Sequence, residues 1–451
     1  MTATTASAAV LSDVLQRAVA AFRAGRVAEA ENLCADIVAA QPDQFDAAHV
    51  LAVAQAAQGK FELALASYDR ALTLRPESAE VISNRGTCLE RLGRLDEALA
   101  SYEHALSARP DFVDAHYNRG NVLLALQRHA EALASYDHVL ALKPDHADAL
   151  NNRGQALREL MRYNDALASY DAAIARQPQH VMAHCNAAAL RLLMGDFPRG
   201  WAEYEWRWKK ASVVRFARKF VEPVWRGEPI AGKTILIHSE QGLGDTIQFC
   251  RYVPLIAARG ARVIFEVEPP LYGLMSAFAN VAQIVPKGSA LPRFDLHCPL
   301  LSLPLAFGTT LETIPAEPAY LRAPAPQTEY WRARLAGKRR PLIGLAWAGN
   351  PKHERDGERS IALRALLPLL DVEASFVSLQ KDVRPDDAAA LRERADILQA
   401  GDALKDFSDT AGLVSSLDLV ISVDTSVAHL SAALGKPTWI LLTFVPDFRW
   451  L

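Results

Sequence analysis

The chain has 451 residues, half of them hydrophobic and 22% charged, with a formal net charge of −3. That length predicts two or three well-cored domains, and the near-neutral charge excludes general attraction to nucleic acid or anionic membrane. The N-terminal stretch lacks a basic region followed by an apolar run, and no segment approaches 18 uninterrupted apolar residues, so neither a signal peptide nor a membrane span is expected. Five widely spaced cysteines, with no CxxC pair, are expected to be reduced and mostly buried in a cytoplasmic protein.

In chain order, the first feature is a period of 34 residues. Ala-Ser-Tyr-Asp, or Ala-Ser-Tyr-Glu, recurs with its tyrosine at Tyr68, Tyr102, Tyr136 and Tyr170. Pro42, Pro76, Pro110, Pro144 and Pro178 keep the same interval, as does Asn-Arg-Gly at Asn84, Asn118 and Asn152. Such a period, with small residues, an aromatic and a closing proline, predicts an α-helical solenoid of paired helices. In the unit Ala79–Phe112 the helices are expected over residues 81–93 and 95–106, with Gly86 and Ala98 at the close approach and Tyr102 facing the next unit. The pattern resembles the tetratricopeptide repeat over residues 11–212, beginning with a weaker copy. It ends in an atypical one, where Trp201, Trp206 and Trp208 predict a cap packed onto the next domain.

Asn84, Asn118, Asn152 and Asn186 fall on successive first helices. A row of amides on the concave face could pair with the backbone of an extended peptide, and a similar row is found in the repeat arrays of the eukaryotic O-linked N-acetylglucosamine transferases. Alternatively, each asparagine bonds within its own repeat.

After the basic stretch RFARKF, residues 215–220, apolar runs alternate with helix-length segments: TILIH, RVIFEV, AQIV, LIGLAWAG, SFVSLQ, DLVISV and TWILL. This predicts two parallel sheets covered by helices, over residues 222–322 and 330–451, joined by a proline-rich linker with a cleft between them. The loop HSEQGLGDTIQ follows the first strand, and Gly242 and Gly244 permit a tight turn. A third glycine at dinucleotide spacing is missing. Asp245 is a helix cap, a general base, or both. In the second loop, Asp424, Thr425 and Ser426 are expected at the first turn of a helix, where N–H groups and hydroxyls suit a diphosphate. His429 follows one turn on, to donate or only to pack. A third loop carries Lys352, His353, Arg355 and Arg359, either for phosphate or as a solvated charged loop.

With GLGDTIQFCRYVPLI and DLVISVDTSVAHLSAALGKP, residues 222–451 resemble the heptosyltransferase-like glycosyltransferases of family 9. The resemblance implies a GT-B fold of two doubly wound domains and metal-independent transfer of a sugar from a nucleotide diphosphate sugar to a peptide or glycan acceptor. It implies Asp245 as base, Asp424, Thr425 and Ser426 on the donor diphosphate, and Arg359 as a further phosphate contact. No cofactor beyond the sugar donor is implied. It also implies residues beyond Leu451, hence a loosely held strand and loop after Leu442. The alternative function is a non-catalytic repeat scaffold carrying a degenerate transferase domain.

Overall fold

A computed structural model describes residues 3–214, 218, 220–276, 278, 281–352 and 356–450; side chains are described from residue 11, except 212 and 214. Arg215, Phe216, Ala217 and Lys219 of the basic stretch, and His353 and Arg355 of the third loop, lie outside the described residues. The chain divides into two compact units, Met1–Leu190 and Arg191–Leu451.

The first unit is built from antiparallel helix pairs: α1 (Ala3–Arg23) with α2 (Val27–Ala40), α3 (Phe45–Ala57) with α4 (Phe61–Leu74), α5 (Ala79–Arg91) with α6 (Leu95–Ala108), α7 (Val113–Ala125) with α8 (His129–Leu142), and α9 (Ala147–Glu159) with α10 (Tyr163–Arg176). α11 (Val181–Leu193) opens the last pair and contains the boundary between the units. Each of Pro76, Pro110, Pro144 and Pro178 stands just past a second helix, where its missing N–H costs no helical bond.

The side-chain geometry accounts for both recurring motifs. A Cβ on Gly86 would lie 2.8 Å from the Tyr102 ring, on Gly120 2.6 Å from Tyr136, and on Gly154 2.5 Å from Tyr170. The tyrosine therefore covers the glycine of its own repeat, and the expectation that Tyr102 faces the next unit is corrected: its hydroxyl lies 3.1 Å from that of Thr87 in the same pair. Only glycine leaves room for an aromatic ring laid flat on a helix backbone.

The arginine after each asparagine ties three helices together. Arg85 donates to Ser101 at 2.9 Å in its own pair and to Asp69 at 2.7 Å in the preceding one. Arg119 repeats this with Ser135 and Glu103, and Arg153 with Ser169 and Asp137. Serine, tyrosine and acid of the one motif thus answer arginine and glycine of the other, which is why both keep one period. Gly120→Ala is expected to lower stability by about 1–3 kcal/mol through overpacking against Tyr136. Denaturant midpoints should show it, with partial recovery when Tyr136 is also shortened to leucine.

The second unit holds two all-parallel sheets. Strands β1 (Thr234–His238), β2 (Arg262–Val267), β3 (Gln283–Pro286) and β4 (Leu296–Pro299) form the first, in the order β3-β2-β1-β4. Strands β5 (Leu342–Ala346), β6 (Ser375–Ser378), β7 (Leu398–Gln399), β8 (Leu419–Val423) and β9 (Thr438–Leu441) form the second, in the order β7-β6-β5-β8-β9. Parallel strands need crossovers, and the intervening helices bury both faces. The central strands accordingly read as apolar runs, with Ile235, Leu236, Ile237, Val263 and Phe265 buried.

The compact first unit ends at Leu190, inside the last helix pair of the expected solenoid. Leu192, Phe197 and Trp201 instead join the core that holds Trp225, Ile247, Phe249 and Phe448. The expected linker is also ordered structure: Leu321 is buried and donates its N–H to the Ala433 carbonyl at 3.0 Å, and a helix begins at Ala325.

Candidate functional site

In each sheet the strand order reverses beside the central strand, between β1 and β4 and between β5 and β8. The loops leaving neighbouring strands there turn to opposite faces, which opens a crevice at their carboxyl ends. The glycine loop leaves β1, the Asp424 turn leaves β8, and the segment carrying Gly349 leaves β5. All three sequence-predicted loops therefore lie at switch points.

The first two loops meet. The helix Leu243–Phe249 packs on the helix Ser426–Ala433. A Cβ on Gly244 would lie 2.8 Å from the His429 ring and 3.5 Å from the Ser426 Cα, so a larger residue would force the crossing apart. His429 is a packing residue: buried, and stacked on Trp450 with ring centroids 4.2 Å apart. Burial pushes its imidazole down to about 4, with Asp245 opposing and Arg449 adding to the shift. Burial likewise pushes His238, at the end of β1, down to about 3.

Both imidazoles are thus neutral when folded but protonate near 6.5 when unfolded, so the unfolded state binds more protons as pH falls from about 6.5 towards about 4. Stability is therefore expected to be full above that window and to drain within it, His429 accounting for about 3 kcal/mol. Denaturation curves between neutral pH and pH 4 should show a shallower loss in His429→Gln.

Asp245 lies in the first turn of its helix. Its Oδ2 accepts from the Gly242 N–H at 3.0 Å, and its Oδ1 accepts from Arg449 Nε at 2.5 Å. The N-cap is Gly242 and not the aspartate expected there; Asp245 closes the helix start from the third helical position, and its other oxygen is held by a guanidinium that belongs to none of the sequence motifs. Arg449 is also held by Asp447 at 2.7 Å. Phe448 beside it is buried and makes edge contacts with Trp201 and Tyr204, whereas Leu442 and Phe444, earlier in the same segment, are exposed. A cavity of about 430 Å³ opens alongside, lined in part by Tyr252, Tyr320, His429, Phe448 and Arg449.

Around the second sheet, Thr425 is the N-cap of the helix Ser426–Ala433, so Asp424 precedes the first turn in which it was expected. The Thr425 hydroxyl lies 3.1 Å from that of Ser422. Burial raises the Asp424 carboxyl, against the pull of the nearby Arg359 guanidinium. Arg359 lies close to Gly349, where a Cβ would stand 3.1 Å from its Nη2. Its Nε–H is buried and has no hydrogen-bond partner among the described residues. Lys352 is exposed, and its backbone N–H is held by Asn350 at 3.0 Å. Arg359, Asp424 and the start of the Ser426 helix are therefore brought together, while no contact joins Lys352 to them among the described residues.

The four asparagines of the 34-residue row, Asn84, Asn118, Asn152 and Asn186, are half-buried, and they separate into two pairs. Asn186 donates to Asn151 at 3.0 Å, Asn151 to Asn152 at 2.9 Å, and Asn152 to Tyr117 at 3.2 Å and Asn121 at 2.9 Å. The amides of Asn84 and Asn118 have no such bonds among the described residues, and both line a cavity of about 390 Å³ between α5 and α7.

Comparison with known proteins agrees with the first unit. Models of the tetratricopeptide repeat match residues 43–111, 84–147 and 147–180. Residues 43–180 are tetratricopeptide repeats. The chain is similar to Protein FlbA of Caulobacter vibrioides, with 25% identity over 56% of this chain and 47% of that protein. It thus spans about half the length of this curated relative. Among solved structures, a tetratricopeptide repeat protein from Parabacteroides merdae is 21% identical over 46% of this chain and 80% of its own, with a TM-score of 0.40. Pseudomonas aeruginosa pilF is 20% identical over 45% and 92%, with a TM-score of 0.41. YrrB, described as a TPR protein with an unusual peptide-binding site, is 21% identical over 40% and 92%, with a TM-score of 0.35.

Proposed function

We propose that the chain is a metal-independent glycosyltransferase of GT-B type, using a nucleotide diphosphate sugar and holding a peptide or glycan acceptor partly through its repeats. The observation that carries this reading is the Arg359 Nε–H, buried and without a hydrogen-bond partner among the described residues, near Asp424 at the β5/β8 crevice. A guanidinium donor without an acceptor, next to a strand-to-helix turn with Thr425 and Ser426, suits a diphosphate. The helix Ser426–Ala433 adds its N-terminal N–H groups.

In this reading the acceptor hydroxyl replaces Arg449 at Asp245 Oδ1. Asp245 takes the hydroxyl proton as the acceptor oxygen bonds to the anomeric carbon. The bond from that carbon to the diphosphate oxygen breaks, and its electron pair leaves with the diphosphate. Arg359 and the helix start offset the charge that develops there.

Screening nucleotide sugars by thermal shift tests the reading, because a donor stabilises the folded state by mass action. A nucleoside diphosphate is expected to raise the melting temperature. Thr425→Ala with Ser426→Ala is expected to weaken binding by about 1.5–3 kcal/mol for each charge-assisted bond lost. Equal affinity in wild type and double variant would remove the diphosphate from this crevice.

The alternative, a repeat scaffold with an inactive second unit, is favoured by one observation: both oxygens of Asp245 are already engaged. Donor binding without sugar transfer to any acceptor would support it.

A further inference from the structure

We infer that the cavity between α5 and α7 is a recognition pocket for a basic side chain, lysine above all, carried by an extended peptide in the repeat groove. The inference deepens the reading of the repeats as a peptide holder and is independent of the transferase reading.

The first ground is a second ladder in the sequence. Asp46, Glu80, Asp114 and Asp148 stand 34 residues apart, every one a carboxylate. Glu80, Asp114 and Asp148 each precede a ladder asparagine by four residues, which puts acid and amide on the same helix face one turn apart. The two ends of this ladder have protein partners: Asp148 meets His180 at 3.1 Å, and Asp46 meets Arg75 at 3.8 Å. Glu80 and Asp114 have no ion-pair partner among the described residues, and both line the cavity.

The second ground is the cavity floor. Ser83 is only 3% exposed, lines the cavity, and has no side-chain hydrogen bond among the described residues. Its hydroxyl opens on the cavity, where it can accept from a donor. An ammonium group has three donors and no acceptor, which matches two carboxylates and a hydroxyl. The remaining charge in the lining, Arg109, lies over the Phe112 ring at 3.6 Å. With two carboxylates against that one guanidinium, the lining is negative.

The third ground is the division of the asparagines. Asn152 and Asn186 are engaged with neighbouring repeats, whereas Asn84 and Asn118 flank the cavity with amides that have no hydrogen bond among the described residues. Unengaged amides and a carboxylate-lined cavity thus coincide on α5 and α7 among the described residues. A peptide laid along the amides would place one side chain in the cavity.

The test uses the full chain and two short fluorescent alanine-serine peptides, identical except for lysine or glutamine at the centre. In fluorescence anisotropy at low salt the lysine peptide is expected to bind about tenfold more tightly, the worth of one charge-assisted contact. Added salt should erode that preference. Glu80→Gln with Asp114→Asn should bring the ratio to about one while leaving the circular dichroism melting curve in place. Equal binding of the two peptides by the wild type overturns the pocket, as does a lysine preference that survives in the double variant. If Asn84→Ala with Asn118→Ala weakens two peptides that bind equally, the groove holds peptide and only the pocket fails. No binding of either peptide at millimolar concentration overturns both.

Discussion

Asp245→Asn is expected to lower sugar transfer by about a hundredfold or more while leaving nucleoside diphosphate affinity near wild type. The asparagine keeps the shape of the side chain and its bond to the Gly242 N–H, but it cannot hold a proton from the acceptor. The same change leaves Arg449, which is largely buried, with Asp447 as its remaining acidic partner. Removing one partner of a buried ion pair costs about 3–5 kcal/mol, and the exposure of this pair places the loss at the lower end. Two readouts therefore separate the roles of Asp245. A loss of stability without a loss of turnover in properly folded protein would make the carboxylate a cap and an ion-pair partner only.

Arg207→Ala is expected to destabilise the second unit by about 3–5 kcal/mol and to loosen the glycine loop. Arg207 binds Glu240 in a two-pronged arrangement, Nη2 to Oε1 at 2.9 Å and Nε to Oε2 at 3.0 Å, and both side chains are almost wholly buried. It also donates to Glu205 at 2.6 Å and to the Ser302 hydroxyl at 2.7 Å. Burial raises the Glu240 carboxyl, and Arg207 and the Leu301 N–H pull against that rise. Without Arg207 a carboxylate is left unpaired two residues before Gly242, and the loop holding Asp245 loses its anchor. Chemical denaturation reads the stability loss, and hydrogen exchange of the loop amides reads the loosening. Replacing Glu240 by leucine in the same chain should restore part of the stability but not the loop. Unchanged exchange in Arg207→Ala would show that the loop is held by other contacts.

The repeats were readable because their determinants travel with the period. Glycine under tyrosine and arginine between serine and acid are contacts 16 residues apart, repeated in each unit, so the motifs that make them recur in step. Most strands were readable for a related reason: a strand buried on both faces must be a continuous apolar run. β4 and β7 gave no such signal. β4, Leu-His-Cys-Pro, is short and carries a proline, and it owes its place to β1 beside it. β7 is two residues long and is defined by pairing with β6.

The candidate site divides along the same line. Gly242, Gly244, Asp245, Asp424, Thr425 and Ser426 stand in strand-to-helix turns, where local chain geometry demands small, capping or hydroxyl residues, so their positions could be read without any long-range contact. The partner of Asp245 has another origin. Arg449 lies 204 residues further on, in a short turn with no periodicity, and no local preference links the two. The Arg207–Glu240 pair, 33 residues apart within the second unit, is equally invisible to local pattern. Tyr102, expected against the next repeat, lies on its own glycine because ring and helix backbone fit there without a void. Whether Asp245 is a free base or one half of an ion pair depends on how the two sheets are brought together, and only burial in the folded chain makes that pairing strong enough to matter.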